Sequence, residues 1–224
     1  MSRERFKDAL WANQQRNILL CGAGGISSWT ALFLARSNNH EITVIDFDEV
    51  ENINLAGQFF QESDIGTSKM NALAKNVNMF TNPPIKFKRY QKKVQEIFHT
   101  AMPFEYVITG FDNMEARKFM YEKWKQLETR KLFVDGRLLA EQFEIYFVTP
   151  DREQMYEETL FDDKPGDEAS CTYKSTSHFA AMCGAKIVQG LNAYLANEAY
   201  KDDMATLPFK YYEFGPTFTQ EIVL

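Results

Sequence analysis

Cysteine is scarce in this chain of 224 residues: there are three, and no two form a Cys-x-x-Cys pair. A four-thiolate zinc site is therefore excluded, and no zinc is expected. An odd, sparse set of cysteines also differs from the disulfide framework of a small secreted protein. We therefore expect the protein to reside in a reducing compartment.

Long apolar runs and an excess of basic residues are missing as well. The longest apolar-rich stretches are far shorter than the ~20 residues that span a bilayer, and the charged N-terminus lacks the apolar core of a signal peptide. The net charge is -6, with 31 Asp and Glu against 25 Lys and Arg. These features predict a soluble, cytoplasmic protein that does not contact membranes and does not have nucleic-acid binding as its main task.

The remaining composition, 45% apolar and 25% charged, is that of a globular protein. We expect one domain over 1–224. The apolar patterns predict strands over 17–21, 41–46, 85–90, 106–110, 132–136 and 142–148 and one from 207 onward, with helices after the glycines at 22–25 and over 66–80, 113–127 and 178–197. The order strand, glycine turn, helix, strand is the signature of a parallel βαβ unit, so the fold class is α/β.

The turn between the first strand and helix carries Gly22, Gly24, Gly25 and Ser27. Glycines at such a turn let backbone N–H groups approach a phosphate, and a helix N-terminus favours an anion. Ser27 stands where the usual dinucleotide fingerprint has a third glycine. A tight turn that binds nothing is the alternative. Asp46 follows at the interval of a ribose-binding acid, so these residues alone also fit an NAD-dependent oxidoreductase.

Further motifs follow in a fixed order: the stretch 46–58, then Asp-Ile-Gly-Thr-Ser-Lys at 64–69, then Thr-Gly-Phe-Asp-Asn at 109–113. Together with the glycine turn, they resemble the ThiF/MoeB family, which includes the ubiquitin-activating enzymes and their bacterial relatives. The resemblance runs from about residue 5 to residue 113 and returns more weakly after 133. It implies a doubly wound, Rossmann-like, mostly parallel sheet with an additional C-terminal strand and helix region. The nucleotide-binding half would cover about 1–130, followed by a long loop at about 150–177 and a C-terminal helix at about 178–199.

The resemblance also implies a role for six polar side chains. Asp46 would hold the ribose hydroxyls of ATP; Asn54, Gln58 and Lys69 would face the phosphates; Asp112 would hold Mg²⁺; and Asn113 would shape the same turn. A carboxylate that attacks the α-phosphate is an anion approaching an anion, so the site must neutralise charge and align the reactants. A surface lysine and a helix N-cap are the alternatives for Lys69 and Asp112.

One position departs from the family pattern. Gly57 stands immediately before Gln58, where the family usually has an arginine. The loss removes a charge and a fork of hydrogen-bond donors from a triphosphate site. Arg5 lies in the segment from which family dimers supply an arginine to the partner's active site, and Arg137 follows a strand end, so either is a candidate substitute. Weak activity and a non-catalytic protein that keeps the fold are both compatible with Gly57.

Cys171 lies in a Cys-Thr segment that resembles the region around the thioester cysteine of ubiquitin-activating enzymes. Its thiolate could attack an acyl adenylate and take the activated protein onto sulfur. A semi-buried thiol that caps the following helix is the alternative. Cys21, which ends a predicted strand, and Cys183, within a predicted helix, are expected to be packing residues.

These features predict an adenylyltransferase that uses ATP and Mg²⁺ to activate the C-terminal carboxylate of a ubiquitin-like or sulfur-carrier protein, with possible thioester formation on Cys171. By analogy with the family, the expected partners are a second copy in a homodimer and a conjugating enzyme or deconjugating peptidase. Three alternatives stay open. They are a ThiF-type enzyme that adenylates a peptide or a tRNA base, an NAD-dependent oxidoreductase, and a non-catalytic partner subunit.

Overall fold

Eight β-strands form one sheet flanked by helices in the computed structural model, which describes residues 4–98, 103–162, 176–200 and 206–224. The strands are β1 (Asn17–Cys21), β2 (Glu41–Ile45), β3 (Phe87–Tyr90), β4 (Tyr106–Thr109), β5 (Leu132–Leu139), β6 (Gln142–Val148), β7 (Lys210–Phe214) and β8 (Thr219–Val223). The helices are α1 (Gly25–Ser37), α2 (Lys69–Asn78), α3 (Val94–Ile97), α4 (Met114–Lys125), α5 (Glu153–Glu157) and α6 (Ser177–Ala199).

The strand order is β3-β2-β1-β4-β5-β6-β7-β8. Neighbouring strands are parallel from β3 to β5 and antiparallel from β5 to β8. The order reverses at β1, which lies between β2 and β4. This topology confirms the predicted doubly wound, mostly parallel sheet with an additional C-terminal strand and helix region. The predicted division of residues 1–224 into halves of one domain stays a prediction.

The central strands are apolar on both faces because helices cover both sides of the sheet. On one face, α1 and α6 pack closely against each other: a Cβ on Gly184 of α6 would lie 2.9 Å from the backbone nitrogen of Thr30 in α1. On the other face, α4 buries Tyr121 and Trp124 against Phe133 of β5. This packing leaves the two edges formed by the strand ends as the places where polar side chains collect.

Two elements differ from the sequence-based expectation. The segment from 207 onward forms two strands rather than one, and α5 lies inside the predicted long loop. β8 is almost entirely exposed on both faces, so its residues show no alternation between apolar and polar. α5 has five residues and buries only Tyr156, too short a segment for a helical period to stand out. Within the described residues, none of the helices has both the length and the hydropathy that a bilayer crossing requires.

Candidate functional site

Three of the predicted site segments meet at the carboxyl edge of the parallel strands. The glycine turn follows β1, Asp46 follows β2, and the turn that contains Asp112 follows β4. The Gly110 N–H donates to the Cys21 carbonyl (3.3 Å), which ties the β4 exit to the glycine turn. Because β1 lies between β2 and β4, the glycine turn is flanked by Asp46 on one side and by the Asp112 turn on the other. In open α/β sheets, ligands bind at this edge, where the strand order reverses.

The glycine turn leaves the start of α1 open. Gly22 has a φ of +89°, the left-handed region that favours glycine. Gly24 is the N-cap of α1, so no side chain caps the first N–H groups of the helix, and a Cβ on Gly24 would meet nothing within 4 Å. Uncapped N–H groups beside open space form the kind of surface that accepts a phosphate or a carboxylate.

Ser27 is buried beneath this turn. Its Oγ donates to the Cys21 carbonyl (3.4 Å), and a Cβ on Gly110 would lie 2.7 Å from Ser27 Oγ. The serine side chain therefore packs against the strand exits. The phosphate contact at Ser27 stays a prediction, and it would be made by the backbone N–H of Ser27 in the first turn of α1.

Asp46 joins the β2 exit to the glycine turn. Its carboxylate accepts hydrogen bonds from the backbone N–H groups of Ala23 (2.6 Å) and Asp48 (2.8 Å). Burial raises the pKa of Asp46, in opposition to these two donors and to the nearby Lys69 charge, which lower it. The side chain predicted to bind ribose thus already contacts the turn predicted to bind phosphate.

Lys69 begins α2 and lies against the β2 exit. Its Nζ donates to Asp48 Oδ2 (2.7 Å), and its backbone N–H donates to the Asp48 carbonyl (3.0 Å). The Lys69 side chain is 9% exposed and the Asp48 side chain 45% exposed. Lys69 is therefore not the freely solvated surface lysine of the alternative interpretation. Its ammonium is directed toward the edge that carries Asp46.

The segment between β2 and α2 crosses α1. Trp29 of α1 donates from Nε1 to the carbonyl of Gly57 (3.0 Å), which fixes the segment at the position where the family has an arginine. Asn54 accepts from the N–H of Glu51 (2.8 Å) and so stabilises the preceding turn. Gln58 Oε1 is buried and has no hydrogen-bond partner. A phosphate oxygen would need the Nε2 donor of this amide rather than Oε1, so the predicted contact of Gln58 with the phosphates stays a prediction.

Asp112 is exposed in the turn between β4 and α4. The N-cap of α4 is Asn113, whose Oδ1 accepts from the N–H of Ala116 (2.8 Å). Asn113 also donates from Nδ2 to Asp112 Oδ1 (3.2 Å), as expected if it shapes the same turn. Asp112 is therefore not the N-cap of the alternative interpretation, and its exposed carboxylate remains available to a cation.

A buried charged network beneath this turn was missed by the sequence reasoning. Asp135, fully buried within β5 beside the end of β4, forms an ion pair with Arg117 of α4 and accepts from Arg137 Nε (2.8 Å), Tyr156 Oη (3.0 Å) and Thr109 Oγ1 (3.0 Å). Arg137 also lies within β5, so the expectation that it follows a strand end was wrong: the strand continues to Leu139 because it pairs with β6. Burial by itself would raise the pKa of Asp135, but the charges of Arg117 and Arg137 outweigh it and hold that pKa below its ordinary value. An aspartate directly after the apolar run 132–134 was the available signal.

Arg137, a predicted substitute for the missing arginine, belongs to this network. Besides Asp135, its guanidinium donates to the Thr159 carbonyl (3.1 Å) and to Thr159 Oγ1 (3.0 Å), and it lies 4.4 Å from the ring centre of Tyr146. All three of its nitrogens therefore already donate to the protein. Its contact with ATP stays a prediction.

Arg5 is exposed in a short 3₁₀ helix that precedes β1. The adjacent segment is anchored by the Trp11 carbonyl, which accepts from Asn38 Nδ2 (2.9 Å) just after α1 ends. Because α1 runs back across the sheet, Asn38 lies toward the amino ends of the strands. Arg5 is thus far from the carboxyl edge of its own chain.

The cysteines divide into two groups. Cys21 and Cys183 are buried, as predicted for packing residues, and burial raises the pKa of both thiols. Cys171 lies outside the described residues, so its thioester role stays a prediction. Raised pKa values make Cys21 and Cys183 poor nucleophiles at neutral pH.

A cavity of about 360 Å³ lies at the opposite edge of the sheet, where Arg16, Tyr106 and Thr129 are among its lining residues. The Arg16 guanidinium there already pairs with Glu198 (3.3 Å) and donates to Tyr106 Oη (2.9 Å). Since its charge is neutralised and the amino ends of strands are not the usual ligand edge, we place the functional site at the carboxyl edge.

Curated proteins match part of this chain. The chain is 31% identical over 118 residues to ubiquitin-like modifier-activating enzyme 5 of Aedes aegypti, a match that covers 46% of this chain and 30% of the relative. It is 30% identical over 134 residues to a probable molybdopterin-synthase adenylyltransferase of Porphyra purpurea, covering 58% of this chain and 34% of the relative. The chain thus spans about a third of the length of these curated relatives.

Solved structures show the same fold over nearly the whole chain. Escherichia coli MccB with ATP superposes with a TM-score of 0.68 at 14% identity and covers 99% of this chain and 65% of MccB. The microcin C7 biosynthetic enzyme MccB in complex with N-formylated MccA superposes with a TM-score of 0.68 at 13% identity and covers 96% of this chain and 65% of MccB. The model of the ThiF family matches residues 7–218. The resemblance seen in the motifs is therefore confirmed, and the chain belongs to the ThiF family.

Proposed function

We propose that this protein is an adenylyltransferase that uses ATP and Mg²⁺ to activate the terminal carboxylate of a ubiquitin-like or sulfur-carrier protein. The observation that carries the proposal is the meeting of the open glycine turn, Asp46, Lys69 and Asp112 at one sheet edge in a member of the ThiF family. The names of the curated relatives support the same chemistry: one is an activating enzyme and the other a probable adenylyltransferase.

Each group at the carboxyl edge would bind a different part of ATP. The uncapped N–H groups at the start of α1 suit a phosphate, and Asp46 suits the ribose hydroxyls. Lys69 would exchange its Asp48 partner for a phosphate oxygen. That exchange needs little rearrangement, because Asp48 is half exposed and stays solvated when the ammonium leaves.

The donor set also fits Mg²⁺. This ion is held by one or two carboxylates together with substrate phosphates and water rather than by an all-protein cage. Asp112 supplies one exposed carboxylate at the correct edge, and the described residues contain no group of three or more His, Cys, Asp or Glu that could hold a metal by itself. When bound there, Mg²⁺ would neutralise negative charge on the phosphates.

The reaction follows from this arrangement. A carboxylate oxygen of the carrier forms a bond to the α-phosphorus of ATP while the bond from that phosphorus to the bridging oxygen breaks. Pyrophosphate leaves with the electron pair, and the carrier keeps the adenylate. Lys69 and the α1 N-terminus stabilise the charge at phosphorus, where preorganised donors contribute most.

Two later features extend the proposal. Cys171 would receive the acyl group as a thioester, with AMP as the leaving group. A second copy in a homodimer would supply Arg5; the neighbouring Phe6 packs on Trp11, which is bonded to Asn38 after the end of α1, toward the amino edge of its own chain. A conjugating enzyme would then take the activated carrier, or a deconjugating peptidase would work beside this protein.

Exchange of labelled pyrophosphate into ATP tests the proposal. We expect Mg²⁺-dependent exchange when a ubiquitin-like or sulfur-carrier protein with a free C-terminus is present, and none with the same carrier bearing a C-terminal carboxamide. Exchange with a synthetic peptide alone would redirect the substrate class toward peptides. Absence of exchange with every carrier, or reduction of a nicotinamide followed by absorbance, would contradict the adenylyltransferase proposal.

A further inference from the structure

One guanidinium links the turn after β4 to the middle of β5 beneath the candidate metal ligand. Arg117 lies in α4 and is 6% exposed. It donates from Nη2 to the carbonyl of Phe111, which follows β4, and from Nη1 to the carbonyl of Gly136 (2.9 Å) and to Asp135 in β5. A planar fork with several donors can serve three acceptors on two strands, whereas a lysine ammonium cannot.

The counter-ion of this guanidinium is Asp135, which also pairs with Arg137. Asp135 is buried, is neighboured by Arg117 and Arg137, and accepts from Tyr156 and Thr109 as well. A buried polar network with every carboxylate oxygen partnered is rigid and specifies one arrangement of its members. The Arg117 side chain is therefore held in place before any ligand binds.

The turn above it is fastened at each side. Gly110 donates to the Cys21 carbonyl (3.3 Å), and Asn113 caps α4. Between them, Arg117 holds the Phe111 carbonyl, one residue before Asp112. The carboxylate of Asp112 is exposed, yet the backbone that carries it is fixed to the buried part of the sheet.

We propose that Arg117 is a positioning residue that fixes the Asp112 turn for binding of Mg²⁺ with ATP. The effect on Mg²⁺ binding rests on the proposed function, whereas the fixing of the turn by Arg117 does not depend on that function. Groups that orient a metal ligand from behind change metal affinity or activity by about 10- to 100-fold when they are replaced. The same range is expected for Arg117.

The test compares Arg117→Lys with Lys118→Met, a change at the neighbouring, more exposed residue of α4, whose partner Asp162 is also exposed. In the ligand-free protein, the amides of Gly110 and Ala116, which donate to the Cys21 carbonyl and to Asn113 Oδ1, should exchange hydrogen about tenfold faster in Arg117→Lys. Hydrogen exchange in β1 and β2, and throughout the Lys118→Met protein, should stay unchanged. In the presence of a non-hydrolysable ATP analogue, Arg117→Lys should bind Mn²⁺ about 10- to 100-fold more weakly. Raising the Mg²⁺ concentration should recover most of the rate of pyrophosphate exchange in Arg117→Lys, since a site with weakened metal affinity can still be saturated.

The outcomes separate the two proposals. Normal hydrogen exchange together with unchanged metal affinity in Arg117→Lys would overturn the positioning role. A rate of pyrophosphate exchange that falls by the same factor at every Mg²⁺ concentration would also overturn it, because a general loss of folded protein has that effect. Failure of the wild-type protein to take up ATP would contradict the proposed function, and the hydrogen-exchange result would still decide whether Arg117 fixes the turn.

A second variant covers a failure to fold. The single change Arg117→Met removes the guanidinium and leaves Asp135 paired with Arg137, so that no charge is left buried without a counter-ion. It should show the same faster hydrogen exchange at Gly110 and Ala116 and the same weaker Mn²⁺ binding. Wild-type behaviour in this variant would overturn the inference.

Discussion

Replacement of Lys69 by Met should remove catalysis and leave folding almost intact. The lysine stem is buried, and methionine fills a similar volume there. The partner lost on the protein side is Asp48, whose side chain is 45% exposed and stays solvated without the ammonium. What disappears is the cation that we place on the phosphates.

The two effects differ in size. Removal of one oriented donor from an anionic transition state costs about 2.7–4 kcal/mol, which is about 100- to 1000-fold in rate. Because Asp48 is half exposed, the Lys69–Asp48 ion pair contributes only about 1 kcal/mol to stability. In a chain of this length, that loss lowers Tm by about 2–4 °C. Pyrophosphate exchange and thermal unfolding, measured on the same samples, give both quantities.

Lys75→Met is the matched control, one and a half turns further along α2. Lys75 is 51% exposed, but its partner Asp64 is 1% exposed, so the lost ammonium leaves a buried carboxylate with only its remaining donors, Asn76 and Gln61. We expect the free energy of unfolding to fall by about 1–3 kcal/mol and the rate of pyrophosphate exchange per folded molecule to stay unchanged. Equal activity in Lys69→Met and the wild type, or a loss of activity that merely follows unfolding, would refute the reasoning.

Three further predictions concern other parts of the chain. Asp112→Asn should abolish Mg²⁺-dependent exchange with a Tm near that of the wild type, since the side chain is exposed; undiminished exchange would remove Asp112 from the site. Cys171→Ala should spare adenylation and eliminate a reductant-sensitive adduct seen on gels, whereas Cys21 and Cys183, with pKa values raised by burial, should resist alkylation in the folded protein. The lowered pKa of Asp135 stabilises the fold above about pH 4, its ordinary range, and that contribution is lost as the pH falls toward the folded-state pKa. Urea unfolding of Asp135→Asn should therefore show lower stability at neutral pH and a flatter acid limb than the wild type, and parallel curves would contradict this account.

Much of the fold could be predicted because its central elements have strong local signals. β1, β2 and β4 are short apolar runs that end at glycine or polar residues, and α1 and α6 follow helical spacing. β8 was missed because both of its faces are solvated, so no periodicity marks it.

The candidate site was predicted less evenly. Motif order located Asp46, Lys69 and Asp112 at one edge because each follows a strand or begins a helix. The ion pair of Arg117 with Asp135 joins residues 18 positions apart that lie in different elements, and a charged residue in an amphipathic helix gives no sign that it is buried. Such pairs depend on tertiary packing, which local sequence patterns do not encode.

The account depends most directly on ATP uptake at the carboxyl edge. Calorimetric titration of the folded protein with ATP in the presence of Mg²⁺ should give saturable binding with one site per chain, weakened by Asp46→Ala. Well-folded protein that releases or absorbs no binding heat at any accessible temperature, and leaves ATP free in equilibrium dialysis, would contradict it.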